Sequence, residues 1–198
     1  LYPPQARLFD QIEVRMTQFV MESLKVGRDE ADRLRTHYWR TYGTTLAGLM
    51  REHGVDPAPY LTTVHDISLD HLEVDAELAA HIRDLPGRRI VYTNGSGPYA
   101  ERVLTARGLS GLFDAVYGVE HAGFRPKPER AAFEAIFAQA RIDPAVAAMF
   151  EGVLALFSSS GWGSSSRGNS PPAISAPLDS PRFPASACLT NSYHFSSD

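Results

Sequence analysis

The alternation of helical and strand-like segments after Leu72 constrains the fold of this chain more than any other feature. Three short apolar runs, RIVYTN, FDAVYGVE and AAMFE, are typical of buried strands, and stretches with apolar residues three and four apart lie before and between them. Strands that alternate with helices pair in parallel and bury both faces of their sheet under helices. We therefore predict an α/β fold with a parallel sheet.

The part of the chain before Leu72 predicts helices only. Apolar residues recur at spacings of three and four over residues 4–24, and shorter helical patterns follow over 29–42, 45–53 and 56–64. A helical block in front of an α/β block predicts a cap over a core. We assign residues 1–4 to a remnant of the core, 5–72 to an α-helical cap and 73–151 to the core.

The sequence changes character after Glu151. Residues 152–198 are dominated by Ser, Pro and Gly and show no apolar periodicity. A segment of this composition buries too little apolar surface to offset the entropy of ordering, which predicts a disordered tail. Because the α/β pattern stops abruptly and the chain starts without a Met, our hypothesis is a chain truncated before Leu1 and read out of frame after Glu151.

The composition excludes several classes of protein. The formal net charge is −4, whereas a general nucleic-acid binder carries a basic surface. No run of about 18 apolar residues is present, so we expect no membrane span. Cys188 is the single cysteine, which excludes an internal disulfide and predicts a reducing, cytoplasmic location. The histidines lack the spacing of a metal site.

The segment Thr93-Asn94-Gly95-Ser96 lies where the first predicted strand ends and a helix begins. Ligands of open parallel sheets bind beyond the carboxyl ends of the strands. The Thr93 hydroxyl, the backbone N–H groups of Asn94 and Gly95, and the N-terminus of the next helix would form a cradle for an anion. The alternative is an ordinary turn in which Asn tolerates a left-handed conformation.

Lys127 lies between Pro126 and Pro128, after the second predicted strand and ahead of a helix. The prolines stiffen the backbone on both sides, so the chain aims this side chain. An ammonium group is a compact positive charge suited to a phosphate or carboxylate oxygen. The alternative is a solvated surface lysine.

The order and spacing of these segments resemble the haloacid dehalogenase-like (HAD) hydrolases. TNGS (residues 93–96) resembles the second motif of that family, and RPKP (125–128), followed by Ala132-Phe133, resembles the third. The opening LYPP resembles the segment directly after the first motif in one branch, and YGTTLAGLM (42–50) resembles the helical cap of the pyrimidine 5'-nucleotidase branch. The resemblance covers residues 1–151 and implies a Rossmann-like core with a helical cap.

The resemblance also implies an activity: Mg²⁺-dependent hydrolysis of phosphomonoesters, in which first-motif aspartates attack phosphorus and transfer protons. By resemblance, Thr93 would donate to the phosphoryl oxygens together with the turn at Asn94 and Gly95. Lys127 would neutralise charge on the nucleophile and the phosphate.

The sequence departs from the family pattern at two of its motifs. No residue of the sequence matches the first motif, so we expect the first-motif nucleophile and general acid to be missing from it. The family has an acidic pair after the third strand, whereas Gly152-Val153 follows Glu151 here, which leaves Glu151 as the candidate metal ligand. We therefore expect this chain itself to be inactive in phosphate hydrolysis.

The resemblance implies a pyrimidine nucleoside monophosphate as substrate, with Tyr42 and Thr45 of the cap facing the nucleoside. A small sugar phosphate is the alternative substrate. A second alternative is a non-catalytic remnant that binds phosphate through Thr93 and Lys127 or that dimerises. A third is a chain that does not fold, because loss of the central nucleophile strand would leave two buried sheet edges unpaired.

Overall fold

The computed structural model describes residues 2–150 and the strand Ser186–Asn191. The α-helices are α1 (Leu8–Leu24), α2 (Arg28–Tyr42), α3 (Thr45–His53), α4 (Pro57–Val64), α5 (Ala76–Asp84), α6 (Gly97–Ala106) and α7 (Arg130–Ala140). The strands are β1 (Arg88–Thr93), β2 (Ala115–Tyr117), β3 (Ala147–Phe150) and β4 (Ser186–Asn191). Short 3-10 helices lie at Pro4–Ala6, Val119–Ala122 and Pro144–Val146.

The strands form one parallel sheet in the order β2-β1-β4-β3. β1 lies in its interior, where Val91 is in register with Val116 on one side and Leu189 on the other. β1 and β3 coincide with two of the predicted apolar runs, and β2 occupies only the centre of the third. The predicted α/β fold with a parallel sheet is confirmed.

β4 corrects the prediction for the C-terminal segment at one place. Residues 152–198 were expected to be disordered as a whole, yet Ser186–Asn191 pairs with β1 along its length and its first four residues pair with β3. This stretch, SACLTN, contains no Pro or Gly, so its backbone can satisfy the hydrogen-bonding groups of both neighbours. The two sheet edges expected to be unpaired are therefore filled, while Glu151 and the rest of the predicted tail lie outside the described residues.

Two helices of the chain begin at side-chain caps that the sequence predicts. Asp56 and Asp75 each accept a backbone N–H of the first turn, at the starts of α4 and α5. Such caps satisfy donors that have no partner within the helix. α1 differs from the prediction because Arg7 adopts a φ of 46°, so the helix begins at Leu8 rather than near residue 4.

The helical block (α1–α4) and the α/β part share one apolar cluster. α1 packs against α2 and α4, and α2 packs against α3. Core residues of the block in this cluster include Ile12, Val20, Tyr38, Leu49 and Val64. The α/β part contributes Tyr99, Val103 and Val119. The block is therefore packed onto α6 and the 3-10 helix after β2. No helix in the described ranges is long and apolar enough to cross a membrane.

We predict that Gly48→Ser destabilises the protein. A Cβ at Gly48, in α3, would lie 2.2 Å from Cγ of the buried Tyr38 ring, so α2 and α3 must move apart. Overpacking of this kind costs about 1–3 kcal/mol in the free energy of unfolding, which urea denaturation measures.

Gly27→Ser is the matched control. A Cβ at Gly27 has nothing within 4 Å, and Gly27 is the N-cap of α2, a position that Ser favours. Unfolding curves that shift equally for the two variants would contradict the close contact between α2 and α3.

Candidate active site

Thr93 ends β1 at the carboxyl edge of the sheet, where it is 3% exposed. Its Oγ accepts the backbone N–H of Gly95 at 3.0 Å. A hydroxyl oxygen that accepts a hydrogen bond still carries its own proton, which is directed to another acceptor. The turn therefore uses the Gly95 amide internally, with the Thr93 hydroxyl oxygen as its acceptor.

The N-terminus of α6 differs from the predicted anion cradle. The Gly97 N–H donates to Oε1 of Glu120 at 2.7 Å, and the Tyr99 N–H donates to Oγ of Ser96 at 3.4 Å. A carboxylate at a helix N-terminus is itself the anion that the position favours. The chain thus fills this site with its own side chains, and the sequence expectation that the helix would offer it to a ligand is corrected.

Asn94 joins the turn to the loop that carries Lys127. Its side-chain Nδ2 donates to the Lys127 carbonyl at 3.2 Å, and its Oδ1 accepts the Lys127 N–H at 2.7 Å. Two parallel hydrogen bonds fix both the distance and the orientation of the loop. The sequence predicts a role for the backbone amide of Asn94 and gives no sign of this role of its side chain, because the two residues are far apart in the chain.

Lys127 is one of the most buried polar residues that the structure describes, with 2% exposure. Its Nζ donates to the carbonyl of Tyr92 at 3.2 Å and lies 5.3 Å from the centroid of the Tyr92 ring. The lysine is therefore not the solvated surface charge of the alternative interpretation. Because Tyr92 precedes Thr93, the ammonium group lies at the same strand end as the Thr93 hydroxyl.

The two predicted substrate residues of the helical block differ in position. Tyr42 is half-buried, and its phenol donates to the Glu52 carboxylate, a hydrogen bond that raises the phenol pKa. Thr45 is buried and hydrogen-bonded to Tyr60 inside the block. Between them, Gly43 approaches the loop of Lys127: a Cβ added there would lie 3.4 Å from Cγ of Pro126.

His65 is a buried residue of this region that sequence analysis set aside. It caps the C-terminus of α4, is 6% exposed, and its Nδ1 lies 2.9 Å from the carbonyl of Leu61. Burial disfavours the charged ring and lowers its pKa from 6.5 to about 4. The ring is therefore neutral at physiological pH. The sequence signal was only that a histidine follows the apolar face of a predicted helix.

The described residues contain no cluster of three His, Cys, Asp or Glu side chains that could hold a metal ion. Glu151, the predicted metal ligand, lies outside them. Thr93, Asn94 and Lys127 contribute a hydroxyl, an amide and an ammonium group, which suit an anion rather than a cation, while the Glu120 carboxylate is bonded to the backbone of α6.

Comparison with known proteins decides the family. The haloacid dehalogenase-like hydrolase family matches residues 5–152. The chain belongs to this family. The match includes Thr93, Asn94 and Lys127, so the strand-end turn and the lysine loop of the structure lie inside the HAD region.

Phosphate metabolism protein 8 of Saccharomyces cerevisiae (strain ATCC 204508 / S288c) is similar to this HAD chain. The two are 25% identical over 126 residues, which cover 59% of the chain. The chain spans 39% of the length of that relative.

We predict that Asn94→Ala loosens the lysine loop of this HAD protein. The substitution removes both hydrogen bonds between the Asn94 side chain and the backbone N–H and carbonyl of Lys127, whose side chain is buried. The expected loss is about 1–3 kcal/mol in the free energy of unfolding, with faster hydrogen exchange at the Lys127 amide. Urea denaturation and exchange detected by mass spectrometry measure the two effects.

Gln139→Ala is the control for this prediction. Gln139 also donates a side-chain amide to a backbone carbonyl, that of His121 at 2.6 Å, but on the surface. Its loss should change stability by no more than about 0.5 kcal/mol. Equal effects of the two substitutions would contradict a role of Asn94 as the tie between turn and loop.

We predict that His65 makes the protein less stable at acidic pH. The unfolded chain binds a proton at the ordinary pKa of 6.5, whereas the folded ring binds one only near 4. The stability is therefore full above pH 6.5 and declines as the pH drops towards 4, by about 3 kcal/mol in total. Urea denaturation from pH 7 to 4 should show a shallower decline for His65→Asn, and equal slopes would count against the buried neutral ring.

Proposed function

We propose that this protein is by descent a phosphomonoester hydrolase whose substrate is a pyrimidine nucleoside monophosphate, and the expected inactivity of this chain corresponds to the second candidate function, phosphate binding without turnover. The observation that carries the proposal is the buried ammonium group of Lys127 at the strand end where Thr93 presents its hydroxyl. An ammonium group is a compact positive charge suited to a phosphate oxygen. A phosphoryl group at this edge of the sheet would be attracted to the Lys127 ammonium.

Each residue of the turn and loop would have a separate task. Thr93 would donate its hydroxyl to a phosphoryl oxygen, and the Gly95 N–H that it accepts would polarise the hydroxyl and strengthen that bond. Lys127 would neutralise negative charge on the phosphoryl oxygens, which grows as the reaction proceeds. Asn94 would fix the position of the Lys127 backbone relative to the turn.

Magnesium belongs to the proposal through the family alone. When bound, Mg²⁺ would stabilise charge on the transferred phosphoryl group. The described residues do not supply its ligands, so no step is assigned to it. The nucleophile and general acid are likewise not assigned to any described residue.

The choice of a nucleoside monophosphate rests on the helical block. YGTTLAGLM resembles the cap of the pyrimidine 5'-nucleotidase branch, and the contact between Gly43 and Pro126 brings this segment to the lysine loop. Tyr42 offers a half-buried ring beside that contact, suited to a nucleobase. Thr45 would act indirectly, through its bond to Tyr60. A small sugar phosphate is the alternative substrate, and a cytoplasmic location is part of the same proposal.

A second candidate function is phosphate binding without turnover. The observation that favours it is the absence of an acidic cluster among the described residues, although Thr93 and Lys127 are both in place. The two functions make different predictions for the full chain. A hydrolase releases phosphate from nucleoside monophosphates in the presence of Mg²⁺, whereas a binding protein retains inorganic phosphate and releases none from them.

The deciding experiment measures both quantities on the full chain. Phosphate release is assayed with pyrimidine and purine nucleoside monophosphates and with sugar phosphates, and inorganic phosphate binding is measured by calorimetry. Release that is fastest with pyrimidine nucleotides supports the first proposal. Binding without release supports the second. Neither binding nor release would overturn both.

We predict that Thr93→Val and Lys127→Met each weaken binding of inorganic phosphate. Each removes a hydrogen bond to a charged ligand, which corresponds to a loss of about 10–100-fold in affinity. Titration calorimetry of the full chain measures the dissociation constants.

Matched controls exist for both substitutions. Thr105→Val removes an exposed hydroxyl of α6 that bonds to the Glu101 carbonyl, and Lys25→Met removes the other lysine of the chain. Both should leave phosphate affinity unchanged. Equal losses in controls and site variants would mean that phosphate binds elsewhere.

A further inference from the structure

His65 connects the helical block directly to the turn at the end of β1. Its Nδ1 lies 3.2 Å from Oγ of Ser96, the residue that follows Gly95 and caps α6. The same Nδ1 lies 2.9 Å from the carbonyl oxygen of Leu61, which can only accept. The proton is therefore on Nδ1, and the N–H is shared between Leu61 and Ser96.

The imidazole ring is held in this orientation by the α/β part. It stacks on the ring of Tyr99 with a centroid distance of 4.4 Å and an interplanar angle of 11°. Arg102, one turn further along α6, donates to the carbonyl of His65 at 3.0 Å and to that of Ile67 at 2.9 Å. Side chain and backbone of His65 are thus both fixed to α6.

Ser96 links His65 to the turn. Its Oγ also accepts the Tyr99 N–H, so one oxygen accepts from His65 and starts the helix. Its neighbour Gly95 donates to Thr93 and accepts from Val119 at 3.0 Å. Because Ser96 is buried and bound on both sides, a displacement of His65 moves the turn rather than a free side chain.

We infer that His65 is a positioning residue for the turn Thr93–Ser96, which it holds in its anion-binding shape through the hydrogen bond to Ser96. This inference rests on the proposed function, since it assigns the turn to phosphate. It gives the helical block a direct influence on phosphate affinity that requires no contact between the block and the phosphate. The residue acts through Ser96 and does not touch the ligand.

The test compares three variants of the full chain. His65→Phe keeps an aromatic ring on Tyr99 and removes the donor, whereas His65→Asn can place an amide N–H near the position of Nδ1. Ser96→Ala removes the acceptor and leaves the helical block as it is. The readouts are the ¹⁵N shifts of the His65 ring, the amide resonances of Asn94 and Gly95 without ligand, and the dissociation constant for inorganic phosphate.

The expected results form one pattern. The ring shifts identify the Nδ1–H form in the wild type. His65→Phe and Ser96→Ala each displace the two turn amides and raise the dissociation constant about five-fold, the factor that one neutral hydrogen bond commonly carries. A fourth variant that combines His65→Phe with Ser96→Ala binds phosphate no more weakly than the weaker single variant, because both substitutions remove the same bond. His65→Asn returns the affinity to within about two-fold of the wild type.

His71→Phe is the matched control. Like His65, His71 lies between α4 and α5. Its Nε2 is 2.7 Å from the carbonyl of Ala6, and it has no described hydrogen bond to the turn. It should change neither the turn amides nor phosphate affinity. Should His65→Phe fail to fold, Ser96→Ala and His65→Asn still carry the comparison.

Two results would overturn the inference. One is a set of turn amides that stays at wild-type positions in both His65→Phe and Ser96→Ala. The other is equal phosphate binding by His65→Phe and His65→Asn, with affinity lost in both. A wild-type chain that neither binds inorganic phosphate nor releases it from substrates would instead defeat the proposed function, and the ligand-free amide resonances would still decide whether His65 positions the turn.

Discussion

The pairing of β1 on both of its edges is the constraint on which the site depends. An interior parallel strand cannot slide without breaking backbone hydrogen bonds to two neighbours, so the position at which it ends is fixed. Thr93 is that end. The Lys127 ammonium is bonded to the carbonyl of Tyr92, one residue earlier in the same strand. Both proposed phosphate contacts are thus set by one strand.

The chain uses many of its own donors before any ligand arrives. Gly95 donates to Thr93, Gly97 donates to Glu120, and the Asn94 side chain is bound to the Lys127 backbone. The proposed site would recognise an anion through one hydroxyl and one ammonium group rather than through a nest of backbone amides. Its affinity would then depend on how well a few side chains are held, which is the role proposed for Asn94 and His65.

Local features of this fold can be predicted from the sequence, and contacts between distant segments cannot. The helix starts at Asp56 and Asp75 are predictable because a cap involves only neighbouring residues. The strands are predictable because apolar periodicity is likewise local. The bonds between Asn94 and Lys127 join residues 33 apart, and no pattern in the chain marks them. Burial of Thr45 against Tyr60 depends on how the helices pack. The strand Ser186–Asn191 was missed because composition was averaged over a long segment that surrounds it.

The apolar cluster shared by the helical block and α6 has a consequence for motion. Tyr99, Val103 and Val119 belong to the same buried core as Leu49 and Val64, so a swing of the block about its linkers would expose that core to water. Rigid-body opening is therefore costly, and we expect the block and the sheet to unfold as one cooperative unit. Entry and exit of a ligand would be governed by small displacements of the loops at the rim.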